Sequence, residues 1–253
     1  MTDVVLLAGR GSSSWAVCRA LRAAFGDVSL VVEDDEPAGL FLRRRARQFG
    51  WSTVAGQVAF VAYGRLAARR SRARRRAILS AAGLDDSPLP AAEMIRVSSA
   101  NAQETVVLLR HLAPRVVVVN GTRILSRRVL EAVPAIFLNM HAGITPTYRG
   151  VHGGYWALVQ GDHAHCGVTI HQVDPGIDTG PILYQTTFQP MVEDDFWTYP
   201  TLQLAAGVPL LIRAVADALS GELRPINGPG PSKLWSHPTL RSYFRSGLRQ
   251  GIW

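Results

Sequence analysis

Lysine is almost missing from this chain. Its 253 residues hold one Lys, Lys233, so the positive side of a net charge of +8 is carried nearly all by Arg. Arginine keeps its charge throughout the physiological range and forks onto carboxylate or phosphate. Cysteine is scarce too. Cys18 and Cys166 stand far apart, which excludes a disulfide framework and gives no metal-ligand spacing. Both read as small core residues. No apolar run approaches the roughly 20 residues that span a bilayer. The opening Met1-Thr2-Asp3-Val4-Val5 lacks the basic stretch and cleavage site of a secretory signal. The expected location is cytoplasmic. Acidic residues are missing from one long stretch: residues 41–76 hold eleven Arg and no Asp or Glu. Such a run is a solvated basic face, or it meets an anionic partner. No aromatic is interleaved with the Arg69-to-Arg76 cluster, which argues against a single-stranded nucleic-acid platform. A membrane contact through this insertion stays open.

The hydrophobic content, 47%, is enough for one large domain, or one domain with a small appendage. Asp3–Ala8 is a short apolar run that reads as a buried strand, followed by Gly9-Arg10-Gly11-Ser12 and a helix through Trp15, Leu21 and Phe25. Strand, Gly-rich turn and helix is the geometry that offers free backbone N–H groups to an anion. Val28–Val32 reads as a second strand. The acidic Glu33–Glu36 that closes it reads as a solvated loop. A basic helix is expected over 38–50, and one longer helix from Val54 to about Ala82. A short strand at Glu93–Val97 precedes a helix from Asn101, with Glu104 in capping-box spacing. Val116–Val119 is β-branched throughout and reads as a buried strand. Ser126 caps a short helix to Ala132, and Ile136–His141 is the next strand. A helix over 152–160, strands over 167–173 and 181–188, and a long helix over 198–219 follow. The last 30 or so residues read as an irregular extension that packs by its aromatics. The alternation of strands and helices gives an α/β fold with a mainly parallel sheet and an antiparallel edge.

The chemistry concentrates between Asn139 and Gly180. Side chains alternate along a strand, so Asn139 and His141 share a face, and they do so at the carboxyl end, where open α/β sheets bind ligands. Asp178 arrives from the Gly-rich loop Asp174–Gly180. An amide can donate to a developing oxyanion. An imidazole can carry a proton or, protonated, stabilise negative charge. A carboxylate beside it orients the ring and raises its pKa. No Ser or Cys nucleophile is placed in the stretch. Direct attack of a substrate amine on a carbonyl is therefore favoured over an acyl-enzyme.

Asn139-Met140-His141, Tyr148-Arg149-Gly150, Gly167-Val168-Thr169-Ile170-His171 and Asp174-x-Gly176-x-Asp178-Thr179-Gly180-Pro181-Ile182 resemble the core of the folate-dependent formyltransferases, over roughly residues 3–190. That resemblance implies a Rossmann-like sheet flanked by helices. It implies a catalytic domain over 1–190 with a basic helical insertion at about 41–82. Residues 191–253 would form a long helix and aromatic extension packed on that domain. Further matches are to the glycinamide ribonucleotide branch. By that likeness Asn139, His141 and Asp178 are catalytic, and 10-formyltetrahydrofolate is the formyl donor. Arg123, Ile124, Leu125, Asp174, Gly176 and Ile177 would hold the pterin. Gly11, Ser12, Ser13, His152 and His171 would serve the acceptor.

The chain also departs from the pattern. Ala142-Gly143 stands where the family commonly has Pro-Ser, and Ser13 where that branch has Asn. The segment 35–95 does not match. The implied acceptor is a small, phosphorylated or nucleotide-linked amine. Methionyl-tRNA is disfavoured because the 60 residues or so after Pro190 cannot supply both the long helix and a β-barrel. A folate hydrolase is a further alternative, as is a basic binding module for nucleic acid or an anionic membrane on a decayed fold. The aromatic tail offers a surface for a homodimer.

Overall fold

A computed structural model describes residues 2–228 and 230–253. The chain opens with β1 (Val4–Ala8), α1 (Ser12–Phe25) and β2 (Val28–Glu33). The insertion follows as α2 (Ala38–Phe49), α3 (Trp51–Ala67) and α4 (Arg72–Ala81). Next come β3 (Met94–Val97), α5 (Gln103–Leu112), β4 (Val116–Asn120), α6 (Arg127–Leu130) and β5 (Ile136–His141). The remainder is β6 (Arg149–Gly150), α7 (Gly153–Val159), β7 (Gly167–Gln172), β8 (Ile182–Thr187), α8 (Tyr199–Ser220), β9 (Leu234–Trp235) and α9 (Leu240–Gln250).

The main sheet has seven strands in the order β3-β2-β1-β4-β5-β7-β8. The first five run parallel, and β7 and β8 are antiparallel, as the sequence pattern predicts. Strand order reverses between β1 and β4, so the carboxyl ends there form the crevice where such sheets take ligands. The β-branched β1 and β4 are buried along their whole length because helices cover both faces. One face packs on α1 and α8 through Leu6, Val17, Leu21, Val118, Leu211 and Val215. The other packs on α5 and α6 through Val5, Leu7, Leu109, Val117, Val129 and Phe137. Both cysteines are buried, as expected of core residues.

Four expectations need correction. The predicted helix over 54–82 is two, α3 and α4, broken by a turn at 68–71. Buried Ser71 donates to the Asp195 carboxylate there, and Arg74 grips Asp194 with two bonds of 2.8 and 3.0 Å. Part of the Arg cluster thus meets an anionic partner inside its own chain. Asn101 does not cap α5. Its side chain joins Ile124 and Ser126, while Glu104 accepts from the Ser98 amide. The C-terminal extension contains α9, which the Thr239–Ser242 capping box starts. A Thr-x-x-Ser spacing before an amphipathic run was the overlooked signal. Last, α8 is long and apolar enough to cross a membrane by length and composition, because Arg213 and Asp217 are spread thinly along it. It packs on the sheet instead, burying Leu204, Val208, Leu211 and Val215.

A third cluster ties the insertion to the C-terminus. Phe60 of α3 meets Phe196 edge-on at 4.9 Å and Tyr243 of α9 at 5.0 Å. Phe196 and α9 thereby pack on the insertion, while α8 packs on the sheet.

Candidate functional site

The antiparallel pairing of β5 with β7 sets the site. It places Asn139 directly opposite His171, and His141 opposite Thr169. Met140, between them in sequence, points to the other face and packs where α8 has Gly207. The Asp174–Gly180 loop then folds back over this end of the sheet. Asp174 organises it by accepting from the Gly176 amide at 3.1 Å and the Thr179 hydroxyl at 2.8 Å. Gly180 permits the return, since a Cβ there would lie 1.8 Å from the Gln172 carbonyl. Asp178 sits in the left-handed region at φ 50°, a conformation Asp tolerates better than most residues.

Asp178 is the hub. One carboxylate oxygen lies 3.4 Å from the Asn139 amide nitrogen and 3.5 Å from Nε2 of His171. The other accepts from the Gly150 N–H at 2.8 Å and lies 3.3 Å from Nδ1 of His141. Nε2 of His141 donates to the Tyr148 carbonyl at 2.7 Å. Nδ1 of His171 donates to the Gln172 carbonyl at 2.7 Å, and its Nε2 lies 3.1 Å from the Asn139 amide nitrogen. Burial alone would raise the Asp178 carboxyl. The His171 and His141 rings and the Gly150 amide together outweigh it and hold the group below the usual carboxylate range. Burial pushes the His141 imidazole down, against the pull of Asp178 and the Tyr148 carbonyl, which both favour its cation. An ionised Asp178 and a His141 reluctant to charge follow.

These side chains line one wall of a pocket of about 300 Å³. Its other walls are Gly121–Leu125 after β4, and Val173 with Gly176–Asp178 after β7. Arg123, Ile124, Leu125, Asp174, Gly176 and Ile177 are therefore brought together around one space with Asn139, His141, His171 and Asp178.

A match to the formyl transferase family model covers residues 3–215. The chain belongs to the formyl transferase family.

Methionyl-tRNA formyltransferase from Anaeromyxobacter dehalogenans is 35% identical over 119 residues, which are 47% of this chain and 38% of that protein. The chain thus spans about two-fifths of the length of the curated relatives it matches. An N-formyltransferase from Helicobacter canadensis, in complex with folinic acid and dTDP-3-aminofucose, superposes with a TM-score of 0.57 at 15% identity. That superposition covers 93% of this chain and 71% of that one. Phosphoribosylglycinamide formyltransferase from Streptococcus pneumoniae gives 0.55 at 19% identity, over 87% and 99%. At these identities the structural likeness is one of fold.

Sequence reasoning missed two supports of the pocket. Glu33, read as part of a solvated loop, is buried at the end of β2. It accepts from the Arg123 amide at 2.6 Å, the Arg123 guanidinium at 2.9 Å and the Ala100 amide at 2.9 Å. The Arg123 guanidinium is therefore held by Glu33 and the Asp34 carbonyl, which anchors this wall of the pocket. The second support is Arg149, whose guanidinium donates to the Ile177 carbonyl at 2.9 Å and latches the Asp178 loop.

The residues assigned to an acceptor by resemblance are not together. His171 lines the pocket. His152 does not; it starts α7 in the left-handed region at φ 58°, with Nε2 2.9 Å from Nδ1 of His237. Burial pushes His152 down to about 3 and His237 to about 4. Gly11, Ser12 and Ser13 open α1 at the end of β1, outside the pocket walls, with Ser12 and Ser13 exposed. Asn120 bridges from β4 to the Ser13 and Ser14 hydroxyls at 3.3 and 3.0 Å.

Proposed function

We propose that this chain moves a formyl group from 10-formyltetrahydrofolate to a primary amine of a small anionic acceptor. The observation that carries the reading is the convergence of Asn139, His141 and His171 on Asp178 in one pocket, walled on its other sides by Gly121–Leu125 and Gly176–Asp178. Backbone N–H and C=O groups on Gly121–Leu125 and Gly176–Asp178 suit a pterin edge, which presents both donors and acceptors. The Gly11-Ser12-Ser13 turn at the start of α1, with both serines exposed, suits a phosphate on the acceptor. An adjoining recess that shares Gly121–Arg123 with the pocket holds Arg10 and Arg44 but also Glu33, Asp34, Asp35 and Glu36, so the phosphate reading rests on the α1 turn.

In this reading the free amine attacks the formyl carbon, giving a tetrahedral centre with an oxyanion and an ammonium. The Asn139 amide gives up its long 3.4 Å contact with Asp178 to donate to the oxyanion. Asp178 takes the ammonium proton and delivers it to the folate nitrogen as the old C–N bond breaks. The products are a formamide and tetrahydrofolate. Nε2 of His141 faces the Tyr148 carbonyl and Nδ1 faces Asp178, so it donates to that carboxylate and answers its charge only in its protonated form, which both partners favour against burial. A screen of amine acceptors, read by release of tetrahydrofolate, tests the reaction. Asp178→Asn and Asn139→Ala should each cost at least 10²–10³ in turnover while a folate analogue still binds. Near-normal turnover in either variant sinks the assignment.

A further inference from the structure

The insertion presents a surface that the pocket does not use. The inner side of α3 is fully occupied: Phe60 packs on Phe196 and Tyr243, Gly56 on Thr239, and Gly64 on Trp197. The outer side carries Trp51, Ala55, Val58, Ala62 and Leu66, a spacing that lines one helical face. All five are exposed, with Trp51 at 65%, Val58 at 47% and Leu66 at 65%. A contiguous apolar stripe of this kind on a soluble surface marks a contact site.

Charge says which kind. At one end of the stripe Arg43 and Arg47 of α2 share a recess with Trp51. At the other, Arg65, Arg69 and Arg70 surround Leu66 along the chain and are exposed. Of the eleven Arg in 41–76, ion pairs to carboxylates engage Arg44, Arg74 and Arg75 among the described residues. The arginines flanking the stripe have no such pair there. Two copies meeting through this face would set Arg against Arg. A nucleic acid would satisfy the arginines and leave the aliphatic stripe without a partner. An anionic lipid surface satisfies both, taking the stripe into the headgroup boundary while the guanidinium groups fork onto lipid phosphates.

We infer that α2 and α3 dock this protein on an anionic membrane surface, with Trp51, Val58 and Leu66 inserted and the flanking arginines at the headgroups. The test is co-sedimentation of the full chain with phosphatidylcholine vesicles, with and without phosphatidylglycerol. Binding should require phosphatidylglycerol and weaken with salt. Arg65→Gln/Arg69→Gln/Arg70→Gln should lower partitioning by about a hundredfold, at about fivefold per charge. Val58→Gln/Leu66→Gln should lower it by at least about tenfold. All five positions are exposed, and circular dichroism with unchanged thermal unfolding confirms that the variants fold. Absence of binding to phosphatidylglycerol vesicles overturns the inference. So does binding that survives Val58→Gln/Leu66→Gln, tighter binding to an oligonucleotide at the same salt, or a dimer that Leu66→Gln dissolves.

Discussion

Glu33 offers a test of how the pocket is built. It ends β2, with β1 and β4 between it and the strand of Asn139, and reaches the pocket only through Arg123. Its carboxylate nevertheless satisfies two backbone N–H groups and the Arg123 guanidinium at once. Replacing it with Ala strands all three. Removing one partner of a buried ion pair costs about 3–5 kcal/mol. The Arg123 side chain stays 21% exposed and Glu33 is 6% exposed, so water recovers part of the cation's loss. The lower end, about 3 kcal/mol, is expected, or about 6–12 °C in Tm for a domain of this size. Glu33→Gln keeps one acceptor oxygen but turns an NH₂ toward other donors, and should cost about 2 kcal/mol. Because Arg123–Leu125 is a pocket wall, loosening it should weaken a folate analogue by about tenfold, or about 1.4 kcal/mol. Turnover at saturating folate should change less than affinity does. Urea unfolding and titration with the analogue measure the two effects. A loss of stability below about 0.5 kcal/mol with unchanged affinity refutes the reasoning that Glu33 is the anchor.

Two more outcomes follow from the geometry. His152 and His237 are held neutral, with folded values about 3 and about 4, below the ordinary 6.5. The unfolded chain therefore binds their protons first, so their stability contribution is complete above about pH 6.5 and is lost as pH falls toward 4. Discounted for their partial exposure, the pair should cost about 2 kcal/mol on going from pH 7.5 to 5.5. His237→Gln should flatten that slope by roughly half, and a wild-type urea midpoint that does not move with pH contradicts the assignment. Gly153→Ala would put a Cβ 2.5 Å from the Gly143 Cα and 2.7 Å from the Ala142 carbonyl, all backbone neighbours. Overpacking there should cost about 1–3 kcal/mol, read as a lower Tm with a weakened pocket. An unchanged Tm means that the first turn of α7 can shift freely.

The sequence was most legible where one physical cause acts alone. Apolar, β-branched runs named the buried strands. Period-two alternation put Asn139 and His141 on one face, and the Asp174–Gly180 loop announced itself by its glycines. It was least legible where a residue's partner is distant. Nothing near Glu33 in the chain shows that Arg123 and Ala100 will come to it, so four acids before a proline read as solvent-facing. Asn101 and Glu104 have the spacing of a cap, yet the competing amides of Ser98 and Ser126 take both side chains. The helix α9 was hidden because its apolar face is aromatic and short, and is stabilised by α3, nearly two hundred residues earlier.

By itself, then, the sequence determined the α/β class, the parallel order interrupted by an antiparallel edge, and the amide, imidazole and carboxylate at one end of the sheet. Those follow from local periodicity and residue type. The tertiary structure alone decided what each group faces. It made Asp178 the hub between Asn139, His141 and His171, and turned Arg123 inward onto Glu33. It also drew His152 away to His237 and left one side of α3 uncovered. Those outcomes depend on contacts between segments far apart in the chain, which periodicity cannot encode because only packing brings them within hydrogen-bonding reach.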